Sequence, residues 1–304
     1  MTSWTGCDKP INAVGLIGCG TMGRNMAERL VSAGYKLWVF DPVPAAIEFA
    51  RNAGAEVAAS SGDLARRCTV IIMSLPGPVQ VEDAVFGADG LYENLGPDHV
   101  IVDTSTVDPG TSRSVSKRVN EKGCAYLDCP ILGRPSAAGK WMLPTGGEEK
   151  VLSYVRPVLL TFAANAVLVG PQGAGNALKL LNQLMFSAIN AVSSEVLAIC
   201  TRVGIEKEVF YRIVAESSAA TVSGLFREVG KTIVNDSFDA PNFTVDLLLK
   251  DAKLALQMAK DAGAPSLVAG GVQLFNELAA ASGLGAEDTS ALYKIFRRNF
   301  SREI

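Results

Sequence analysis

Gly18, Gly20 and Gly23 stand directly after the apolar run Ala13-Val14-Gly15-Leu16-Ile17 and open a helix, a spacing suited to gripping a pyrophosphate. Gly18 permits a tight strand-to-helix turn, Gly20 lets backbone approach the phosphates, and Gly23 lets the helix over 22–33 pack close to the strand. Thr21 and Met22 fall at the helix start, where unpaired N–H groups meet phosphate charge. A second apolar run, Leu37-Trp38-Val39-Phe40, ends in Asp41, whose carboxylate can accept hydrogen bonds from both ribose hydroxyls. A 2′-phosphate would be repelled there, and Pro42-Val43 supplies no Arg to neutralise it. NAD is therefore the expected cofactor, ahead of NADP.

A second group of residues with chemical potential recurs at helical spacing. Asn176, Lys179, Asn182 with Gln183, Ser187, Asn190, and Ser193 with Ser194 place a polar stripe along an otherwise apolar helix. Exposed helical faces favour Lys, Glu and Arg, whereas this stripe is mostly amide and hydroxyl, with Lys179 its sole cation before Glu195. Such groups suit a half-buried cleft where each must find a partner.

Those residues need elements to position them. At 304 residues and 48% hydrophobic, the chain exceeds what one core usually carries, so two domains are expected. Strands are read over 13–17, 37–40, 70–74, 100–103, 125–127 and 166–169, and helices begin near Met22, Pro44, Val79, Pro109 and Glu148. This alternation predicts an α/β fold, an N-terminal Rossmann-type doubly wound parallel sheet over residues 1–171. Ser74, Leu75, Pro76, and Ser105 with Thr106 fall at strand carboxyl ends, where they would line the cofactor cleft. Residues 172–304 read as an all-α domain punctuated at Gly230, Pro241, Gly263-Ala264-Pro265 and 283–285, and its first helix, about 30 residues long, would be a spine joining the domains. The expected site is a cleft between the two.

The bulk numbers exclude several classes. Net charge is −3, and no long run of Lys and Arg marks a nucleic-acid or anionic-membrane partner. Cys7, Cys19, Cys68, Cys124, Cys129 and Cys200 form no C-x-x-C pair, which points to reduced thiols in a cytoplasmic protein and to no metal cluster. Cys19 could be oxidant-sensitive, although a small residue at that place in the loop needs no such role. The first ten residues lack an apolar core of signal-peptide length, and no later stretch reads as long and apolar enough to span a bilayer. His99 is the only histidine. It precedes the strand over 100–103, at the end away from chemistry, so it reads as a strand-entry residue.

The glycine fingerprint, the loop Asp128-Cys129-Pro130-Ile131-Leu132-Gly133 and the segment 173–183 together resemble the β-hydroxyacid dehydrogenase family over nearly the whole length. The stretches 103–109, 243–251 and 283–288 extend the similarity. The resemblance implies that Lys179 is the catalytic acid/base, that Asn182 holds substrate or lysine, and that Lys250 reaches cofactor or substrate from the second domain. Burial and a positive nicotinamide ring would both disfavour the charged lysine. It also implies a homodimer or homotetramer, with the exposed apolar surface of the helical domain as its interface. The substrate loop departs from the family pattern. Leu132 stands where a serine is usual, Gly133 keeps the first glycine, and Arg134 replaces the second. An Arg offers a planar, permanently charged fork for a small anionic substrate, unless it points outward to a surface acid. Imine reductases share the architecture but generally replace the lysine, so Lys179 favours carbonyl chemistry. A 6-phosphogluconate dehydrogenase would need a longer helical domain. A catalytically silent NAD-sensing scaffold would have lost Lys179 or Asn182, and both are present.

Overall fold

Alternating apolar runs and amphipathic segments build the first unit of the chain. The computed structural model describes Trp4, residues 10–217, Ala219, Thr221 and residues 223–299. In order come β1 (Ala13–Ile17), α1 (Thr21–Ser32), β2 (Lys36–Phe40), α2 (Pro44–Asn52), β3 (Glu56–Val57), α3 (Ser61–Arg67), β4 (Val70–Met73), α4 (Pro78–Phe86), β5 (Val100–Asp103), α5 (Pro109–Asn120), β6 (Ala125–Asp128), β7 (Trp141–Gly146), α6 (Glu149–Leu159) and β8 (Ala163–Gly170). The sheet runs β3-β2-β1-β4-β5-β6-β7-β8. Every residue of β4 and β5 is buried, because helices cover both faces of a parallel sheet and its central strands become continuous apolar runs. Met26 and Leu30 of α1 pack in one core layer, Val81 of α4 and Val115 of α5 in the other.

The sheet is parallel, as the sequence predicts, at every pairing but one. β6 and β7 pair antiparallel, Asp128 opposite Gly146. Residues 129–140 hold only the 3-10 turn Pro135–Ala137 and no crossover helix, so the chain cannot return to the strand start as a parallel neighbour would require. Three elements escaped the sequence reading. β3 is two residues, α3 is seven, and β7 contains Pro144 and Gly146, residues that ordinarily argue against a strand. His99 lies at the entry to β5, where its ring bonds the Gly96 N–H and pairs with the Ala65 carbonyl.

The two compact units divide at Lys179 and Leu180, inside α7 (Ala174–Arg202), a helix of 29 residues. The second unit continues with α8 (Lys207–Glu216), α9 (Gly224–Val234), α10 (Val245–Asp261), α11 (Leu267–Ala279) and α12 (Leu292–Asn299), and among its described residues no strand occurs. Gly230 is not a break. It lies within α9 against the Tyr211 ring, where a Cβ would not fit. The polar stripe of α7 is buried at Asn176, Gln183, Ser187, Asn190, Ser193 and Ser194, while Leu181, Met185, Val192 and Ile199 are exposed. From Ser187 onward two members of the stripe bond to other helical segments of the second unit. Asn276 donates to Ser187 (2.7 Å), and Asn190 donates to the Thr289 carbonyl (2.9 Å). By length and composition α7 could cross a membrane, contrary to the sequence expectation, with a mean hydropathy of 1.5 over its most apolar window.

Cys19, Cys68, Cys124, Cys129 and Cys200 are free and buried, and Cys7 and most of the first ten residues lie outside the described residues. Burial, helped by nearby Asp41, pushes the Cys19 thiol up to about 11. The thiolate is the form oxidants attack, so this burial favours the reading of Cys19 as a small packing residue of the loop.

Candidate active site

The carboxyl ends of β1, β2, β4 and β5 bring the glycine loop and its partners together. Gly18 adopts φ +90° and lies against the Ser74 backbone, so no side chain fits there. Its N–H donates to the Phe40 carbonyl (3.0 Å), and the Ser74 N–H donates to the Ile17 carbonyl (2.8 Å), locking the loop between β2 and β4. Gly23 abuts the Gly18 carbonyl, which draws α1 onto β1. Gly20 differs from both: it is exposed, and a Cβ there would meet nothing within 4 Å. Thr21 is exposed and Met22 half-buried at the same helix start.

Asp41 follows β2 with its carboxylate held by two backbone N–H groups. Oδ2 accepts from the Cys19 N–H (2.7 Å) and Oδ1 from the Val43 N–H (2.8 Å), and each oxygen keeps a lone pair for a hydroxyl. On the other side of the loop, the Leu75 N–H donates to Ser105 Oγ (2.9 Å), joining the turns after β4 and β5. Pro76 is exposed and Thr106 half-buried beside them. Open space over Gly20, free helix-start amides and an oriented carboxylate fit a dinucleotide: residues 18–23 would hold its pyrophosphate, Asp41 its ribose, and Ser74 to Pro76 with Ser105 and Thr106 would flank it.

The substrate loop is stiff. Leu132 and Met142 exchange backbone hydrogen bonds (2.9 and 3.1 Å), and Trp141 Nε1 donates to the Arg134 carbonyl (2.7 Å). Gly133, at φ +148°, lies over the Trp141 ring with no room for a Cβ. Arg29 of α1 donates to the Ala138 carbonyl (2.6 Å), tying this loop to the glycine-loop helix. The Arg134 side chain is half-buried.

Lys179 is half-buried at the end of the first unit. The helix that carries it begins in a polar knot. Asp128, fully buried at the end of β6, accepts from the backbone N–H of Gly173 (2.7 Å) and of Asn176 (2.8 Å). The Asn176 side chain accepts from the Val107 N–H (3.2 Å) and donates to Ser112 Oγ (3.1 Å). In the second unit, Asn182 is exposed and donates to Gln183 Oε1 (3.3 Å). Gln183 donates to buried Asp251 (2.7 Å), and Lys250 Nζ lies 2.8 Å from the other oxygen of that carboxylate.

A glycine loop at the start of a doubly wound sheet, an oriented carboxylate at the end of β2 and a helical second unit define an oxidoreductase of the dinucleotide-binding class. Residues 13–170 match the family described as the NAD binding domain of 6-phosphogluconate dehydrogenase, and residues 173–296 the one described as NAD-binding of NADP-dependent 3-hydroxyisobutyrate dehydrogenase. The chain belongs to the β-hydroxyacid dehydrogenase family. It is 32% identical to 2-(hydroxymethyl)glutarate dehydrogenase of Eubacterium barkeri over 94% of this chain and 95% of that one. It is 30% identical to 3-sulfolactaldehyde reductase of Escherichia coli (strain K12), over 94% and 96%. A crystal structure of 3-hydroxyisobutyrate dehydrogenase from Salmonella typhimurium superposes with a TM-score of 0.86 at 28% identity, covering 93% of this chain and 99% of that one. The homologues are dehydrogenases and reductases of small hydroxy acids and their aldehydes, and this chain carries the NAD(P)-binding domains they share.

Sequence reasoning placed Asp103 with Thr104, Ser105 and Thr106 among the cleft-lining strand ends and quoted Asp128 and Asp251 only within longer motifs, giving none of the three buried carboxylates a role of its own. Each follows or interrupts an apolar run, and that was the available signal: a buried acid persists only with partners. Asp103 accepts from the Ser105 N–H (2.9 Å) and from the Tyr126 hydroxyl (2.8 Å), holding the turn after β5. Burial pushes its carboxyl up to about 6, against the pull of those hydrogen bonds and with a further push from Asp128. Burial likewise raises Asp128, against four backbone N–H bonds that lower it. The folded state thus binds the Asp103 proton more tightly than the unfolded chain does. Its contribution to stability is complete below the ordinary value of 3.8 and is lost as pH rises through about 6. A shift of this size corresponds to about 3 kcal/mol. Urea unfolding at pH 4.5 and 7.5 should show that Asp103→Asn gains stability relative to the wild type on going to the higher pH, and an unchanged difference would remove Asp103 from this account.

Proposed function

We propose that the chain is an NAD-dependent oxidoreductase that moves a hydride between nicotinamide and a small β-hydroxy acid or its semialdehyde, with Lys179 as acid/base. The observation that carries the proposal is Lys179 itself, half-buried one turn beyond the capped start of α7, in a family whose members are named for such substrates. Nicotinamide, when bound, supplies the hydride acceptor or donor. In oxidation, neutral Lys179 Nζ accepts the hydroxyl proton while the C–H pair leaves as hydride and the carbon–oxygen bond becomes double. In reduction, its ammonium stabilises the charge growing on the carbonyl oxygen and hands that oxygen a proton. Asn182 holds substrate or amine without adding charge, and Lys250, held by Asp251, offers a second cation to substrate or cofactor.

Arg134 is the proposed partner of the substrate anion. The Trp141 bond to its carbonyl and the pinned loop around it hold its backbone, and a guanidinium carried there suits carboxylate or sulfonate. Leu132 and Gly133 would form the rest of that wall. Asp41 supports NAD over NADP, since a 2′-phosphate would meet a carboxylate whose orientation two backbone N–H groups enforce. A second copy of the chain is the proposed partner: Leu181, Met185, Val192 and Ile199 form an exposed apolar row along α7 at near-heptad spacing, the pattern by which helices pair.

Two measurements test the reading. Steady-state kinetics on 3-hydroxyisobutyrate, 2-(hydroxymethyl)glutarate, L-threonate and 3-sulfolactaldehyde should show that Lys179→Met cuts turnover at least about a hundredfold while NADH binding survives, and that wild-type oxidation quickens with pH as the amine loses its proton. A variant that keeps most of its activity would shift the balance to an imine-reducing or water-mediated mechanism. In the same assays NAD should exceed NADP in kcat/KM by at least about tenfold, with Asp41→Ser narrowing the gap; parity in the wild type would rule out the assignment of Asp41.

A further inference from the structure

We infer that Asp128 is a positioning residue for this chemistry: a two-pronged cap, supplied by β6, that sets where the first turn of α7, and hence Lys179, stands against the turn after β5. The inference rests on Lys179 being the acid/base. The first N–H groups of any helix lack partners within it and are ordinarily capped by a side chain just upstream. The residues preceding α7 are Pro171, Gln172 and Gly173, and the cap comes instead from a carboxylate distant in sequence. One oxygen of Asp128 takes the Gly173 N–H (2.7 Å) and the other the Asn176 N–H (2.8 Å). The Asp128 side chain is fully buried, so water cannot replace it at those amides, and its negative charge sits at the positive end of a 29-residue helix.

The surroundings leave the helix no alternative seat. A Cβ at Gly146 would collide with the Asp128 carboxylate, and one at Gly175 with the Asp128 and Pro144 carbonyls. Asn176, whose N–H the carboxylate grips, reaches with its own side chain to the Val107 N–H (3.2 Å) and Ser112 Oγ (3.1 Å). The turn that carries Ser105 and Thr106 and the helix that carries Lys179 are therefore registered to one buried acid. Lys179 follows Asn176 by one helical turn, so an axial slip or rotation of that first turn moves its amine directly. Displacement of a catalytic group by about 1 Å can cost on the order of a hundredfold in rate.

The test is a double-mutant cycle on the full-length protein with the substrate of highest kcat/KM in the panel above, combined with hydrogen exchange. Asp128→Asn keeps the shape and one acceptor while removing the charge and the second prong. It should lower kcat at least about tenfold and leave the NADH dissociation constant within about twofold. In a Lys179→Met background the same change should cost less than about twofold more, because the group it positions is gone. Amides over 173–179 should exchange faster in Asp128→Asn while those of β1 and α1 keep their protection. Multiplicative losses in the double variant, unchanged exchange over 173–179, or an Asp128→Asn protein that no longer folds or binds NADH would each overturn the positioning role. Full activity in Lys179→Met alone would instead sink the acid/base assignment, and this inference with it.

Discussion

The first unit depends on how closely α1 is drawn onto β1. Gly23 lies against the Gly18 carbonyl and Gly18 against the Ser74 backbone, with no space for a side chain at either. That contact points the amides at the start of α1 across the carboxyl ends of the strands, where a doubly wound sheet gathers its ligands. Other features follow from it. The Cys19 N–H comes within reach of Asp41, the turn after β4 meets Ser105, and Arg29 further along α1 pins the loop that carries Arg134.

The same segment shows what can be read from sequence. Gly18, Gly23 and Asp41 were legible because each answers a local demand of backbone or charge, and the central strands because burial on both faces makes them plainly apolar. β7 was not legible. Its pairing with β8 is set by the long-range register of Leu143 to Gly146 against Ala166 to Gly170, which outweighs the strand-breaking tendency of Pro144. The roles of Asp103, Asp128 and Asp251 were hidden for a related reason. Their partners are backbone amides, a tyrosine and a glutamine far along the chain, and no spacing rule encodes such pairs.

The long helix α7 turns the usual logic of amphipathicity around. Most of its amides and hydroxyls are buried, Asn182 excepted, and several of its large apolar residues are exposed. Two of the buried polar groups pair across the helical unit, Ser187 with Asn276 and Asn190 with the Thr289 carbonyl, and such bonds specify one arrangement where an apolar interface could slide. At its start the helix is held by Asp128 and Asn176, and within its third turn Gln183 is held by Asp251, which also faces Lys250. The residues assigned to chemistry, Lys179, Asn182 and Lys250, are accordingly less buried than the neighbours that fix them.

The carboxyl end of this sheet is built to receive a dinucleotide, and Gly20 isolates that role. Gly18 and Gly23 are required by the fold, but Gly20 has extended backbone angles (φ −75°, ψ −157°) and open space where its Cβ would be. A ligand lying against that backbone would exclude a side chain where the fold itself does not. Calorimetric titration of NADH into wild type and Gly20→Val, paired with thermal unfolding of the apo proteins, measures this directly. Gly20→Val should unfold within a few degrees of wild type and lose NADH affinity by at least about tenfold, roughly 1.4 kcal/mol. Unchanged NADH affinity in Gly20→Val would rule out a dinucleotide seated on this backbone.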